Sequence, residues 1–254
     1  MRSDGLRTRL ARAGFAAPSE AEPHLAELTE LTGVRADDLF SVVDERVADP
    51  DQALQWLVYL ARQHPSAVDS LFAERPNAKT VVRLLGASTG LAEFFLRHPR
   101  TMEVVQSGEA ELPTREELQR RMAASVGVDA ERADADGGFG MAVAQLTGSD
   151  AIRSLRVRYR TELARITAFD LAQDDQRGCV REVSRALADL AGETLDAAIM
   201  VARAEAQSPP SGFGRFPAEQ VECVRLAVIG MGKAGAEELN YISDVDIMFV
   251  AESS

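Results

Sequence analysis

The chain has 254 residues, 46% hydrophobic and 27% charged, enough for one large domain or two modest ones and too apolar for wholesale disorder. Lys and Arg number 28 against 40 Asp and Glu, and the net charge of −12 opposes the phosphate backbone of nucleic acid. No run reaches the ~20 apolar residues of a membrane span.

The amino-terminal MRSDGLRTRLARAGF lacks the apolar core of a secretory signal, and Cys179 and Cys223 show no CxxC spacing. A cytoplasmic chain with reduced thiols is therefore expected. His24, His64 and His98 stand far apart, so no zinc site is expected either.

Residues 1–207 read as helical. Apolar positions recur every three or four residues through Leu25, Leu28 and Leu31, and again through Leu54, Leu57, Val58 and Ala61. Segment 77–86 offers Asn77 as N-cap and Gly86 as C-cap, and segment 88–98 is a short helix closed by Pro99. Thr114 and Glu117 have the spacing of a capping box. The acidic, Gly-rich stretch 126–138 reads as a solvated loop.

Two long helices follow, 139–171 and 178–206, joined by AQDDQRG and expected to lie antiparallel. Arg153, Arg156, Arg158, Arg160 and Arg165 crowd the first. Helical spacing spreads them around the cylinder, with Glu162 and Asp170 placed to balance them, although Arg156 or Arg160 could face an active-site cleft. SPPSGFGRFP (208–217) then breaks the pattern, and a Pro/Gly linker is expected there.

Beyond it the period changes. VRLAVI (224–229) and VDIMFV (245–250) read as strands, with a glycine turn and a short helix between them. Two strands cannot bury both of their faces, so 218–254 is expected to be the truncated start of a larger domain.

The chemistry lies in Gly230–Asp246. In one reading Gly230 and Gly232 turn the backbone off a strand so that it can approach a phosphate, while Asp244 and Asp246 alternate along the next strand and present two hard oxygen ligands to Mg²⁺. Such a site clamps an in-line phosphoryl or nucleotidyl displacement. In the other, Gly230, Gly232 and Gly235 spell the GxGxxG of a dinucleotide-binding turn, with Glu252 about 20 residues on. That crossover would be short, and it leaves both aspartates without a task. The bland alternative is a tight β–α connection ending in a polar turn.

GMGKAGAEELNYISDVDIMFV (230–250) resembles the nucleotidyltransferase motif of the glutamine synthetase adenylyltransferase/deadenylylase family. VVRLLGASTGLAEFFLRHPR (81–100), LRVRYRTELARITAFDL (155–171) and ADLAGETLDAAI (188–199) resemble its helical segments in content and order; residues 1–79 match only loosely. The resemblance implies an α+β chain: a helical region, 1–207, a linker, 208–217, and the start of a polymerase-β-like nucleotidyltransferase domain, 218–254.

It further implies ATP and ADP as nucleotides, Asp244 and Asp246 as catalytic Mg²⁺ ligands, and Gly230, Gly232, Lys233 and Ser243 as nucleotide contacts. Members of the family carry two opposed catalytic domains: one transfers AMP to a tyrosine of glutamine synthetase, the other removes it by phosphorolysis as ADP. A motif this early implies the removing half. Glutamine synthetase is then the partner, with a PII-type regulator acting through other regions. Because the third acidic ligand of fold relatives lies on a later strand, this segment is expected to be inactive alone. The rival from another class is a non-catalytic helical docking module.

Overall fold

The computed structural model describes residues 3–106, 111–129, 141–207 and 216–253. The fold is α+β, mostly helical with one two-stranded antiparallel sheet. The chain divides into two compact units, Met1–Glu111 with Thr167–Gln176, and Leu112–Ile166 with Arg177–Ser254. Most of the linker and most of the acidic loop expected from the sequence lie outside the described residues.

The first unit holds α1 (Ser3–Arg12), α2 (Pro18–Thr32), α3 (Ala36–Val42), α4 (Pro50–Gln63), α5 (Pro65–Ala73), α6 (Arg75–Ala87), α7 (Thr89–Arg97) and α8 (Thr101–Gln106). Its centre is α4, which packs on α2, α5, α6 and α7. The sequence starts this helix twice over: Asp49 accepts from the Gln52 N–H at 2.9 Å, and Pro50 takes a first-turn position that needs no donor. Leu54, Leu57, Val58 and Ala61 then fall on one stripe and are buried. Each such Leu contributes about 1.5–3 kcal/mol of apolar burial.

Two expected boundaries move. Helix α6 begins at Arg75, with Glu74 in the N-cap position and Pro76 in the first turn, so Asn77 is inside the helix. Its C-cap is Ser88, not Gly86. Gly86 has a different reason to be glycine: a Cβ there would stand 2.8 Å from the Asp49 carbonyl oxygen and 2.9 Å from Val47 Cγ1. Beside this contact Arg83 is paired with Asp44. Burial raises the Asp44 carboxyl, but the Arg83 hydrogen bond and charge, with the Arg46 N–H, hold it below the usual carboxylate range.

The second unit holds α9 (Arg115–Ser125), most of α10 (Gly148–Ala172), most of α11 (Gln176–Gln207), α12 (Ala218–Glu222), β1 (Val224–Gly230), α13 (Gly232–Gly235) and β2 (Ile247–Ser253). The capping box at α9 forms as expected: Thr114 Oγ1 accepts from the Glu117 N–H at 3.2 Å, and Glu117 Oε2 from the Thr114 N–H at 3.0 Å. Helix α10 starts at Gly148, nine residues later than periodicity suggested. The Gly148 N–H donates to Glu205 at 2.8 Å, so the start of α10 meets the end of α11, as an antiparallel pair requires.

The α10 arginines divide by face. Arg153, Arg156 and Arg160, at i, i+3 and i+7, are exposed. Arg158 and Arg165 turn inward to Glu162, which is wholly buried and also accepts from Arg121 of α9 at 3.1 Å. Neither Arg156 nor Arg160 lines the cleft described below.

Candidate functional site

Strands β1 and β2 pair antiparallel, from Val224↔Ser253 to Gly230↔Ile247. One more hydrogen bond, Met231 N–H to the Asp246 carbonyl at 2.8 Å, carries the ladder past the last strand residue. There β1 ends, because Gly232 enters the left-handed region at φ +53° and the chain folds into the single turn α13. Gly235 packs back on β1 so tightly that a Cβ would stand 2.2 Å from the Gly230 carbonyl oxygen. Gly230 and Gly235 are required by backbone packed on backbone, and Gly232 by its positive φ.

The antiparallel pairing overturns the dinucleotide-binding reading, which needs two parallel strands joined by a crossover helix. It also corrects the register of the carboxylates. Asp244 and Asp246 do not alternate within a strand; they precede β2, in the irregular segment that ends at Ile247. The strand starts late because the chain turns away at Gly232 and β1 offers no strand partner beyond Gly230.

The structure nevertheless brings Asp246 to the glycine turn, its Oδ2 lying 4.0 Å from where a Gly232 Cβ would be. Asp244, two residues earlier, is exposed like Asp246, and neither carboxylate is ion-paired among the described residues. The Gly232, Lys233 and Ala234 N–H groups open α13 and have no backbone acceptor, as expected for a first helical turn. The exposed Lys233 ammonium makes no ion pair among the described residues. Ser243 closes a local turn, its Oγ accepting from the Asn240 N–H at 3.4 Å while its own N–H reaches the Asn240 carbonyl at 3.2 Å. Asn240 Oδ1 accepts from Ile242 N–H at 3.1 Å and completes that turn.

The Asp246 carboxylate beside free N–H groups, with Asp244 two residues before it, offers hard oxygen donors of the kind Mg²⁺ shares with water and phosphate, so the donor chemistry fits that ion. Among the described residues no group of three or more His, Cys, Asp or Glu side chains is gathered as a metal centre.

Sequence reasoning missed the other side of the hairpin. A cleft of about 230 Å³ lies between the hairpin and α11, lined by Val228, Gly230, Val245 and Ile247, by Ala234, Gly235 and Glu237 of the turn, and by α11. Neither Asp244 nor Asp246 lines this cleft. Arg115, at the start of α9, lines the cleft and donates through Nε to Glu193 Oε1 at 2.7 Å. Glu193 is buried, and its Oε2 has no hydrogen-bond partner. Burial pushes up the carboxyls of Asp189, Glu193 and Asp196, against the opposing pull of Arg115. The available signal was the i, i+4, i+7 spacing of these three acids on a largely apolar helix.

The family model described as glutamate-ammonia ligase adenylyltransferase matches residues 78–254. The chain belongs to that family. A bifunctional glutamine synthetase adenylyltransferase/adenylyl-removing enzyme from Leifsonia xyli is 42% identical over 97% of the chain, which covers 23% of that relative. Enzymes of the same description from Streptomyces avermitilis and Streptomyces coelicolor are 36% identical, with 21% and 22% of their lengths covered. The chain thus spans between a fifth and a quarter of the relatives it matches. No solved structure matches it. No helix among the described residues is long and apolar enough to cross a membrane.

Proposed function

We propose that this segment of the glutamate-ammonia ligase adenylyltransferase family carries the nucleotide-handling turn of an adenylyl-removing, phosphorolytic site acting on glutamine synthetase. Helical residues 1–207 and a linker at 208–217 lead into a nucleotidyltransferase domain that begins at 218. The observation that carries the reading is the juxtaposition at the glycine turn: three N–H groups without backbone acceptors at Gly232–Ala234, and the Asp246 carboxylate beside Gly232.

The reaction follows from the parts. An oxygen of inorganic phosphate attacks the adenylyl phosphorus in line; the phosphorus–tyrosyl oxygen bond breaks; ADP forms and the phenolate takes up a proton. In this scheme Gly230 and Gly232 let the backbone approach, the N–H groups hold phosphoryl oxygens, and Lys233 offsets their charge. Ser243 holds the turn that presents Asp244 and Asp246. These two carboxylates would hold Mg²⁺, which when bound supplies Lewis-acid neutralisation of the phosphoryl charge. A PII-type regulator belongs to the same proposal, as a partner of the longer protein.

The test uses the protein expressed from its full coding frame, with glutamine synthetase in both states. Asp244→Asn with Asp246→Asn is expected to abolish phosphate-dependent ADP release from adenylylated glutamine synthetase and to leave ATP-dependent adenylylation intact. Loss of adenylylation with ADP release preserved would assign the turn to the opposite half. The segment alone is expected to be inactive, so ADP release by these 254 residues would overturn that part of the reading.

A further inference from the structure

Among the described residues Glu237 is the one residue other than glycine with a positive φ, +58°. A Cβ makes that conformation costly, and glycine is its usual occupant. The local hydrogen bonds explain why the chain adopts it. Glu237 N–H donates to the Ala234 carbonyl at 3.3 Å, and Glu238 N–H to the Lys233 carbonyl at 2.8 Å. This pair of bonds closes a helix end through a single left-handed residue. Glu237 therefore ends α13 and sends the chain on to Leu239, which is buried. Glycine would end the turn with less strain.

What glutamate adds is a carboxylate. Its Oε2 meets Nε of Arg185, on α11, at 3.0 Å. Asp189 stands at i+4 from Arg185 on the same helix, yet the ion pair that Arg185 makes is with Glu237. Both partners are exposed, and an exposed pair contributes little to overall stability. A strained backbone is thus kept for a contact of small stabilising value, the pattern of a residue held for position. The contact joins α11 to the turn whose Gly232, Lys233 and Ala234 N–H groups have no backbone acceptor.

We propose that Glu237 and Arg185 are positioning residues for the nucleotide turn: their ion pair holds α13 against α11, so that the Gly232–Ala234 N–H groups stay aimed at one phosphate group. This rests on the nucleotide reading of that turn. Neither residue touches the nucleotide; both act through the backbone of the turn.

Calorimetry of the whole chain with ADP and Mg²⁺ tests it. Glu237→Gln and Arg185→Gln are each expected to weaken ADP about threefold to fivefold, the reach of an exposed pair, and the double variant no further. Glu237→Gly separates position from stability. Glycine relieves the strain, so the denaturation midpoint should equal or exceed the parent's while ADP binding falls as in Glu237→Gln. Parent affinity in both Gln variants would overturn the proposal and leave the nucleotide site standing, and so would a midpoint and an affinity that fall together in Glu237→Gly. If the parent itself does not bind ADP, the nucleotide reading fails, and the ion pair is read without ligand. Arg185→Gln should then speed hydrogen exchange of the Gly235–Glu238 amides by about threefold or more, and unchanged exchange would overturn the positioning role.

Discussion

The two units solve the problem of burial differently. In the first, Leu54, Leu57, Leu84, Leu85 and Phe95 make an apolar core, and its partly buried acid, Asp44, is served by Arg83. The second buries two carboxylates, Glu162 and Glu193, and fifteen of the sixteen exposed large apolar side chains among the described residues are its own. Nine of those fifteen fall between Val224 and Val250, on and around the hairpin. A helical bundle closes on itself, because each helix satisfies its own backbone and offers one apolar stripe. A two-stranded sheet has two faces and two open edges to cover. The first unit is built on apolar burial, while the second holds buried carboxylates and uncovered apolar surface around a glycine turn.

The largest effect expected is in the first unit. Leu57→Ala should cost about 2–5 kcal/mol by cavity formation, read as a lowered denaturation midpoint. A comparable loss in the second unit should come from charge: Glu162→Ala leaves Arg121, Arg158 and Arg165 without their shared acceptor and should cost about 3–5 kcal/mol. If Glu162→Ala proved neutral while Leu57→Ala did not, the second unit would not rest on its buried ion pairs.

Gly235→Ala probes the turn. A methyl group 2.2 Å from the Gly230 carbonyl must push α13 off β1, so nucleotide binding should fall at least tenfold while the first unit's stability stays unchanged. Wild-type affinity in this variant would show that the close packing has no part in binding.

The smallest effect is in pH dependence, where the units should oppose each other. Asp44 lies below its ordinary value, so the stability it contributes is present above about pH 4 and lost as pH falls further. Asp189, Glu193 and Asp196 lie above theirs, so the folded unit binds more protons than the unfolded chain, and stability rises as pH falls from 7 toward about 4. Hydrogen exchange of α4 and α11 amides across that range should show α11 gaining protection as pH drops to 5 while α4 holds. Parallel behaviour would remove the distinction.

The sequence was most legible where one local rule decided the outcome. The periodicity of Leu54, Leu57, Val58 and Ala61, the Thr114–Glu117 box and the apolar runs that became β1 and β2 all matched the structure. Boundaries set by long-range contact were not legible: Gly86 looked like a cap because nothing in its neighbours reveals the Asp49 carbonyl packed against it. Asp244 and Asp246 were picked out as a pair, but their place before β2 depends on where β1 turns away, which is a property of the pairing. The cleft against α11 was invisible for the same reason, since strand register decides which hairpin residues look at α11.

The central claim is that the Gly230–Asp246 segment holds a nucleotide phosphate with a divalent ion. The most direct measurement is ADP binding to the whole chain by calorimetry, with Mg²⁺ and with chelator. The account predicts saturable binding that requires Mg²⁺ and is lost in Asp244→Ala/Asp246→Ala with helicity intact. Binding that persists with chelator or in that variant, or no ADP binding at any Mg²⁺ concentration, would contradict it.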